Sequence, residues 1–161
     1  MKKLRLAGLS LALLSSAWAC SSQTDPNSLK DQLTGDAKGS AAGNALCAMF
    51  SQAEVAAYVG MAVGPGQNNG GGAGCRWAYN DDEAWATVST VPADYFPEPS
   101  GVAGFKLLPA IGDRAWVAPD SGWSAGSLEG NVGTVVVIYG KNATEVAAVS
   151  MLQEAIKRRI K

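Results

Sequence analysis

The sequence predicts an α+β domain, in which an antiparallel β-sheet of about five or six strands is covered on one face by an N-terminal and a C-terminal helix. A segment with helix-capping signals lies at the start of the folded region, and a segment with helical hydrophobic periodicity lies at its end. Between them, short runs alternate with a period of two and are separated by turns. The order helix, strands, helix is typical of this fold class, and 161 residues suffice for one domain.

The first predicted helix lies within FSQAEVAAYVG, residues 50–60. Ser51 followed by Glu54 forms a capping-box pattern, and Phe50 with Val55 matches a hydrophobic staple. Gly60 stands where helices commonly end in a glycine. These signals predict a helix that begins after Ser51 and ends at Gly60.

The strand predictions follow from the alternating segments. CRWAYN and AWATVSTV flank the acidic turn DDE and predict a β-hairpin. RAWVAP, GWSAGSLEG and VGTVVVIYG predict three more strands. The last is apolar on both faces, with Val135 and Val137 against Val136 and Ile138, and is therefore expected near the middle of the sheet.

A second helix is predicted at the C-terminus. Asn142 is the expected cap with Glu145 three residues later. The expected apolar stripe recurs at three- and four-residue spacing and consists of Val146, Val149, Leu152 and Ile156. Ala148 and Ala155 flank it and are small enough for close packing onto a sheet.

The N-terminus reads as an export signal. Lys2, Lys3 and Arg5 precede the run LAGLSLALLSSAWA, which is too short to span a bilayer. A signal peptide is therefore predicted over residues 1–19. Residues 20–44 are predicted to be a polar tether, rich in Ser, Gly, Asp and Asn, and residues 45–161 a single domain.

Two cleavage alternatives remain open at Cys20. Ala17 and Ala19 form a small-x-small box that suits an ordinary signal peptidase. SAWAC also resembles the lipobox of bacterial lipoproteins, with Ala17 in place of the usual leucine and the bulky Trp18 in place of a small residue. Acylation of Cys20 is favoured because it accounts for an odd number of cysteines. The lipoprotein resemblance and Ser21 imply an outer membrane location on the periplasmic side, where the organism has such a membrane.

The charge distribution excludes nucleic acid as an expected partner. Without the three signal-peptide cations, ten basic residues stand against fourteen acidic ones. Four of the ten crowd at the C-terminus, namely Lys157, Arg158, Arg159 and Lys161. Phosphate binding needs a basic stripe across a face, whereas these cations are expected simply to favour a helix C-terminus.

Known catalytic and cofactor motifs are not matched. GPGQNNGGGAGCRW, residues 64–77, lacks the third glycine of a dinucleotide fingerprint and the Gly-Lys-Ser/Thr of a P-loop. Without histidine there is no Ser-His or Cys-His pair and no common metal-ligand cluster. We therefore expect no enzyme activity, no cofactor and no metal. In an exported chain, Cys47 and Cys75 predict a structural disulfide.

Aromatic residues supply the candidate binding surface. The segment from Pro92 to Asp113 contains four prolines and is expected to be a long loop. Tryptophans on an outer sheet face could join its aromatic residues in a groove, since such residues are enriched at interfaces. The candidates are Trp85, Tyr95, Phe96, Phe105, Trp116 and Trp123.

The spacing also resembles a family of small bacterial envelope lipoproteins of unknown function, best known from actinobacteria. The resemblance rests on CAMFSQAEVAAYVG, then CRW, then IGDRAW, and covers roughly Cys47 to Ile160. It implies a Cys47–Cys75 bridge and a Gly112-Asp113 turn, and it carries no catalytic residues. The glycine-rich insert before Cys75 departs from the family pattern.

The sequence thus predicts a lipid-anchored envelope lipoprotein that acts as a non-catalytic binding or interaction module. The membrane is its expected partner through Cys20, with an envelope protein or polymer as a further partner. Two alternatives remain open. One is a small hydrolase that cleaves envelope polymer through Asp81, Asp82 and Glu83; the other is an accessory subunit of a membrane complex.

Overall fold

The computed structural model describes residues 43–159. The predicted signal peptide, Cys20 and most of the predicted tether lie outside the described residues, as do residues 160–161. The described residues contain three α-helices: α1 (Ala45–Ala48), α2 (Gln52–Val59) and α3 (Glu145–Arg159). The strands are β1 (Gln67–Asn69), β2 (Gly74–Tyr79), β3 (Ala84–Pro92), β4 (Lys106–Leu107), β5 (Arg114–Ala118), β6 (Trp123–Glu129) and β7 (Val132–Tyr139).

The strands form one antiparallel sheet with the order β1-β2-β3-β7-β6-β5-β4. The predicted hairpin and the three later strands are confirmed as β2, β3, β5, β6 and β7, and β7 lies in the middle as expected. The sheet has seven strands, more than the predicted five or six. The two additional strands, β1 and β4, are its short edges, and neither QNN nor KL is long enough to show an alternating pattern.

Helix α2 confirms the local prediction. The Ser51 side chain accepts from the Glu54 amide while the Glu54 carboxylate accepts from the Ser51 amide, which is a complete capping box. Gly60 ends the helix in the left-handed conformation, with φ of 82°. Phe50 and Val55, the two staple residues, are both buried.

Helix α3 differs from its prediction in its cap and in its buried stripe. Thr144 is the cap, because its hydroxyl accepts from the Ala147 amide at 3.2 Å. The Asn142 side chain instead donates to the Ala57 carbonyl at the end of α2. Val146 is 74% exposed, because the buried stripe consists of Ala148, Met151, Leu152, Ala155 and Ile156. The two alanines therefore lie within the buried stripe rather than beside it.

Apolar side chains gather in two clusters. The larger one joins α2 and α3 to alternate strand positions such as Val88, Val136 and Ile138. The smaller one contains Phe96, Trp116 and Ala118, with Val91, Val102, Phe105, Leu128 and Val135 packed against them.

Among residues 43–159, no helix has the length and apolar character needed to cross a bilayer.

A disulfide attaches α1 to β2, and an ion pair attaches α2 to α3. Cys47 of α1 and Cys75 of β2 are paired as a disulfide, with Cα atoms 5.1 Å apart; such a loop closure stabilises by roughly 3–4 kcal/mol in the chain-entropy model. Arg158 near the end of α3 binds the Glu54 carboxylate at 2.7 Å, donates to the Met49 carbonyl and lies 4.6 Å from the centroid of the Phe50 ring. The two ends of the described chain are thereby tied together.

Candidate functional site

A strip of side chains crosses three strands on one face of the sheet; its members are at least partly exposed except for Thr87, which is buried. Strand pairing places Trp85 opposite Tyr139, Thr87 opposite Val137 and Arg76 opposite Thr87. Ser89 lies two residues beyond Thr87 on β3 and therefore on the same face. We call this set the open strip; it consists of Arg76, Trp85, Thr87, Ser89, Val137 and Tyr139.

The aromatic end of the open strip is ordered by stacking. The rings of Trp85 and Tyr139 lie 6.2 Å apart between centroids with an angle of 22° between their planes. The Arg76 guanidinium carbon lies 4.4 Å from the centroid of the Trp85 ring, a cation–π distance. Because β3 lies between β2 and β7, Arg76 and Tyr139 approach the indole from opposite sides. Tyr139 is 45% exposed, so the pair presents aromatic surface to solvent.

The charge of the open strip is balanced. Arg76 forms an ion pair with Asp82 at 2.5 Å. Asp82 lies in the turn between β2 and β3, where it adopts a φ of 78°, and Glu83 in the same turn is exposed. In the acidic turn considered as a catalytic group, the Asp82 carboxylate thus positions Arg76, and the side chain of Asp81 lies outside the described part of the chain. Among the side chains that the structure describes, no three acidic or cysteine residues are grouped so as to hold a metal ion.

Polar side chains extend this face beyond the open strip. Gln67 pairs with Arg76, and Asn69 pairs with Gly74, which in turn pairs with Ser89. The side chains of Gln67 and Asn69 therefore share the face with Ser89 and Arg76. Neither carboxamide is hydrogen-bonded to another described residue. This end of the sheet face is polar and uncharged.

The other half of the same sheet face is closed by the loop after β3. Phe96 and Phe105 contact Trp116, with ring centroids 6.4 and 6.5 Å from it. Trp116 is 2% exposed and Phe96 is 8% exposed. Three of the six candidate binding residues thus form a closed cluster, and the loop that carries two of them borders the open strip.

The remaining candidates are separated from that cluster. Tyr95 is 78% exposed in the short turn Ala93–Tyr95. Trp123 pairs with Ile138 and packs against the larger core, so it lies on the face opposite Trp85. The structure therefore brings Phe96, Phe105 and Trp116 together and leaves Trp85, Tyr95 and Trp123 apart from them.

Sequence reasoning missed Arg76 and Tyr139. Each is adjacent to a residue that the patterns singled out, yet only the pairing of β2, β3 and β7 places them beside Trp85. The available signal was the alternation itself, since Tyr139 follows Val135 and Val137 on one face of β7.

A concave feature, separate from the open strip, lies at the start of the described chain. It is an open depression of about 430 Å³ lined by Gly43, Asn44, Ala45, Leu46, Asn68, Gly72 and Thr90. Its polar groups are already engaged, because the Asn44 carboxamide donates to Asn68 at 2.7 Å and to the Gly74 carbonyl at 2.9 Å. The open strip is therefore the stronger candidate.

Comparison of the chain with protein-family models, with curated proteins and with solved structures returned no match. The likeness to small envelope lipoproteins accordingly remains a hypothesis that rests on the short motifs.

Proposed function

We propose that this chain is a lipid-anchored lipoprotein of the cell envelope, facing the periplasm, and that it is a non-catalytic binding module whose ligand contacts the open strip. The observation that carries the proposal is the stacked pair Trp85 and Tyr139, partly exposed beside Arg76. These three residue types are the ones most often found to dominate binding energy at interfaces.

The cysteine pairing supports the export part of the proposal. Disulfides persist in oxidising compartments such as the bacterial periplasm. With Cys47 bonded to Cys75, the third cysteine of the sequence, Cys20, has no cysteine left within the chain to pair with. Its position directly after the predicted signal peptide makes acylation the simplest role for it.

The finer arrangement of the fold belongs to the same proposal. We infer that α2 and α3 cover one face of the sheet, since both contribute to the core that contains Val136 and Ile138. Val137 and Tyr139 alternate with those residues and face the other way. The helices would then leave the opposite face to be shared by the loop after β3 and the open strip.

The anchor is tested by the intact mass of the mature chain purified from membranes. We expect a mass that includes acyl groups on a chain beginning at Cys20, and loss of those groups in Cys20→Ala. An unmodified Cys20, or cleavage at another residue, would refute the anchor.

The binding surface is tested by photocrosslinking in intact cells. A photoreactive amino acid at Tyr139 is expected to form an adduct with an envelope component, and Trp85→Ala is expected to reduce its yield. The matched control carries the same probe at Val146, an exposed apolar residue of α3. Equal adducts from both positions, or none from Tyr139, would count against the open strip.

A further inference from the structure

We infer that the ligand of the open strip is a neutral glycan chain. This inference rests on the proposed function, because it names the chemical class bound by the same surface. The strip and the polar residues beside it offer a ligand aromatic surface and uncharged hydrogen-bonding groups.

The apolar part of the surface suits the C–H faces of sugar rings. Trp85 and Tyr139 are both partly exposed and are held by each other and by Arg76. Ordered aromatic rings lose little conformational entropy when a ligand binds. The indole N–H of Trp85 has no hydrogen-bond partner among residues 43–159 and is not one of the buried unpaired groups there, so it is available as a donor.

The polar part of the surface suits hydroxyl and acetamido groups. The carboxamides of Gln67 and Asn69 each offer both donors and an acceptor, and the Ser89 hydroxyl lies on the same face. From β1 to β7 the face spans three strand spacings, about 14 Å. That distance gives room for more than one sugar ring across the strands.

The charge and the position of the strip argue against other polymers. Arg76 is already neutralised by Asp82, so no unpaired cation on the strip attracts a polyanion. An extended peptide adds to a sheet through an unpaired edge, whereas Trp85 and Tyr139 lie on strands that are paired on both sides. An uncharged, hydroxyl-rich chain matches the surface best.

The test is titration of the purified, isotopically labelled mature chain with chitotetraose, a neutral N-acetylated oligosaccharide, followed by NMR. We expect chemical-shift changes at the Trp85 indole N–H and at the Gln67 and Asn69 carboxamides. Trp85→Ala should weaken the apparent affinity about tenfold, and Val146→Ser should leave it unchanged. A parallel titration uses an oligogalacturonate, which carries a carboxylate on each sugar.

Each other outcome overturns the inference. Binding of the oligogalacturonate without binding of chitotetraose would assign the strip to anionic ligands. Chemical-shift changes confined to residues outside the strip, or no changes with chitotetraose, would contradict the inference that the ligand is a neutral glycan. If the Tyr139 photoprobe nevertheless captures an envelope protein in a Trp85-dependent way, the glycan inference fails while the proposed binding module stands. If neither the titration nor the photocrosslinking gives the expected result, both the glycan inference and the proposed binding module are contradicted.

Discussion

Gly66 shows how a single residue in the glycine-rich segment acquires a structural role. A Cβ atom at this position would lie 2.7 Å from the Cys75 sulfur and 2.8 Å from the Trp77 indole nitrogen. Both neighbours are buried and cannot move aside easily. The glycine is therefore needed for close packing against the disulfide and the Trp77 indole.

Gly66→Ala is therefore expected to lower the free energy of unfolding by about 1–3 kcal/mol. The matched control is Gly101→Ala, where the added Cβ meets nothing within 4 Å and a neutral or slightly stabilising effect is expected. Urea denaturation at constant pH measures both. Equal effects of the two substitutions would show that packing at Gly66 does not limit stability.

The Glu54 carboxylate makes the stability of the fold depend on pH. Its hydrogen bond to Arg158, followed by those with the backbone and side chain of Ser51, lowers its pKa from 4.5 to about 2. A lowered folded-state pKa stabilises the fold above the unfolded pKa. The contribution is thus complete above pH 4.5 and is lost as the pH falls towards 2. Because the ion pair is partly exposed, solvent screening reduces its contribution.

We expect Glu54→Gln to lower the free energy of unfolding at pH 7 by about 1 kcal/mol and to make little difference near pH 2. Denaturation curves at several pH values measure the change. Glu83→Gln serves as control, since Glu83 forms no ion pair with another described residue. A stability difference for Glu54→Gln that stays constant down to pH 2 would contradict the ionic origin.

At the start of α3, Asn142 and Thr144 are the two candidates for the residue that caps the helix. The sequence pattern favoured Asn142, since Glu145 follows at capping-box spacing, but the chain needs Asn142 to link the turn after β7 to the end of α2. Thr144 is left to cap the helix. Local spacing alone could not distinguish them, because the deciding contact is with a distant helix.

Thr144→Ala is expected to destabilise the protein by about 1 kcal/mol through loss of the cap. Asn142→Ala should cost less, since its bond to Ala57 is long at 3.3 Å and exposed. Thermal unfolding followed by circular dichroism compares the two. A larger loss in Asn142→Ala would contradict the expectation that the Thr144 cap contributes more to stability than the bond from Asn142 to Ala57.

The same distinction between local and distant contacts governs what the sequence could predict. The capping box of α2, the β2–β3 hairpin and the central β7 were predicted because neighbouring residues carry those signals. The edge strands β1 and β4 were missed because their three and two residues carry no periodicity. The pairing of β3 with β7 joins segments far apart in the chain, and a pattern within each segment does not specify it.

The candidate site follows the same rule. Trp85 was predicted from composition, but its partners Arg76 and Tyr139 required the sheet register. Phe96, Phe105 and Trp116 are predicted from the sequence to contribute to a binding surface, whereas the structure packs the two phenylalanines against Trp116. Aromatic residues are common both at interfaces and in cores. Only the structure therefore distinguishes the buried aromatic residues from the exposed ones.

For the molecule as a whole, we expect two independent attachments to the envelope: an acyl anchor on Cys20 and a ligand on the open strip. The domain should therefore retain affinity for envelope material without the lipid. The open strip, with its stacked aromatic pair, would supply that affinity, and the closed cluster around Trp116 would not contribute.

The most direct measurement is co-sedimentation of the purified, non-acylated Cys20→Ser chain with isolated envelope fragments. We expect saturable sedimentation, with an apparent affinity that is about tenfold weaker in Trp85→Ala and unchanged in Val146→Ser. Equal sedimentation of all three chains, or none of the Cys20→Ser chain above background, would contradict it.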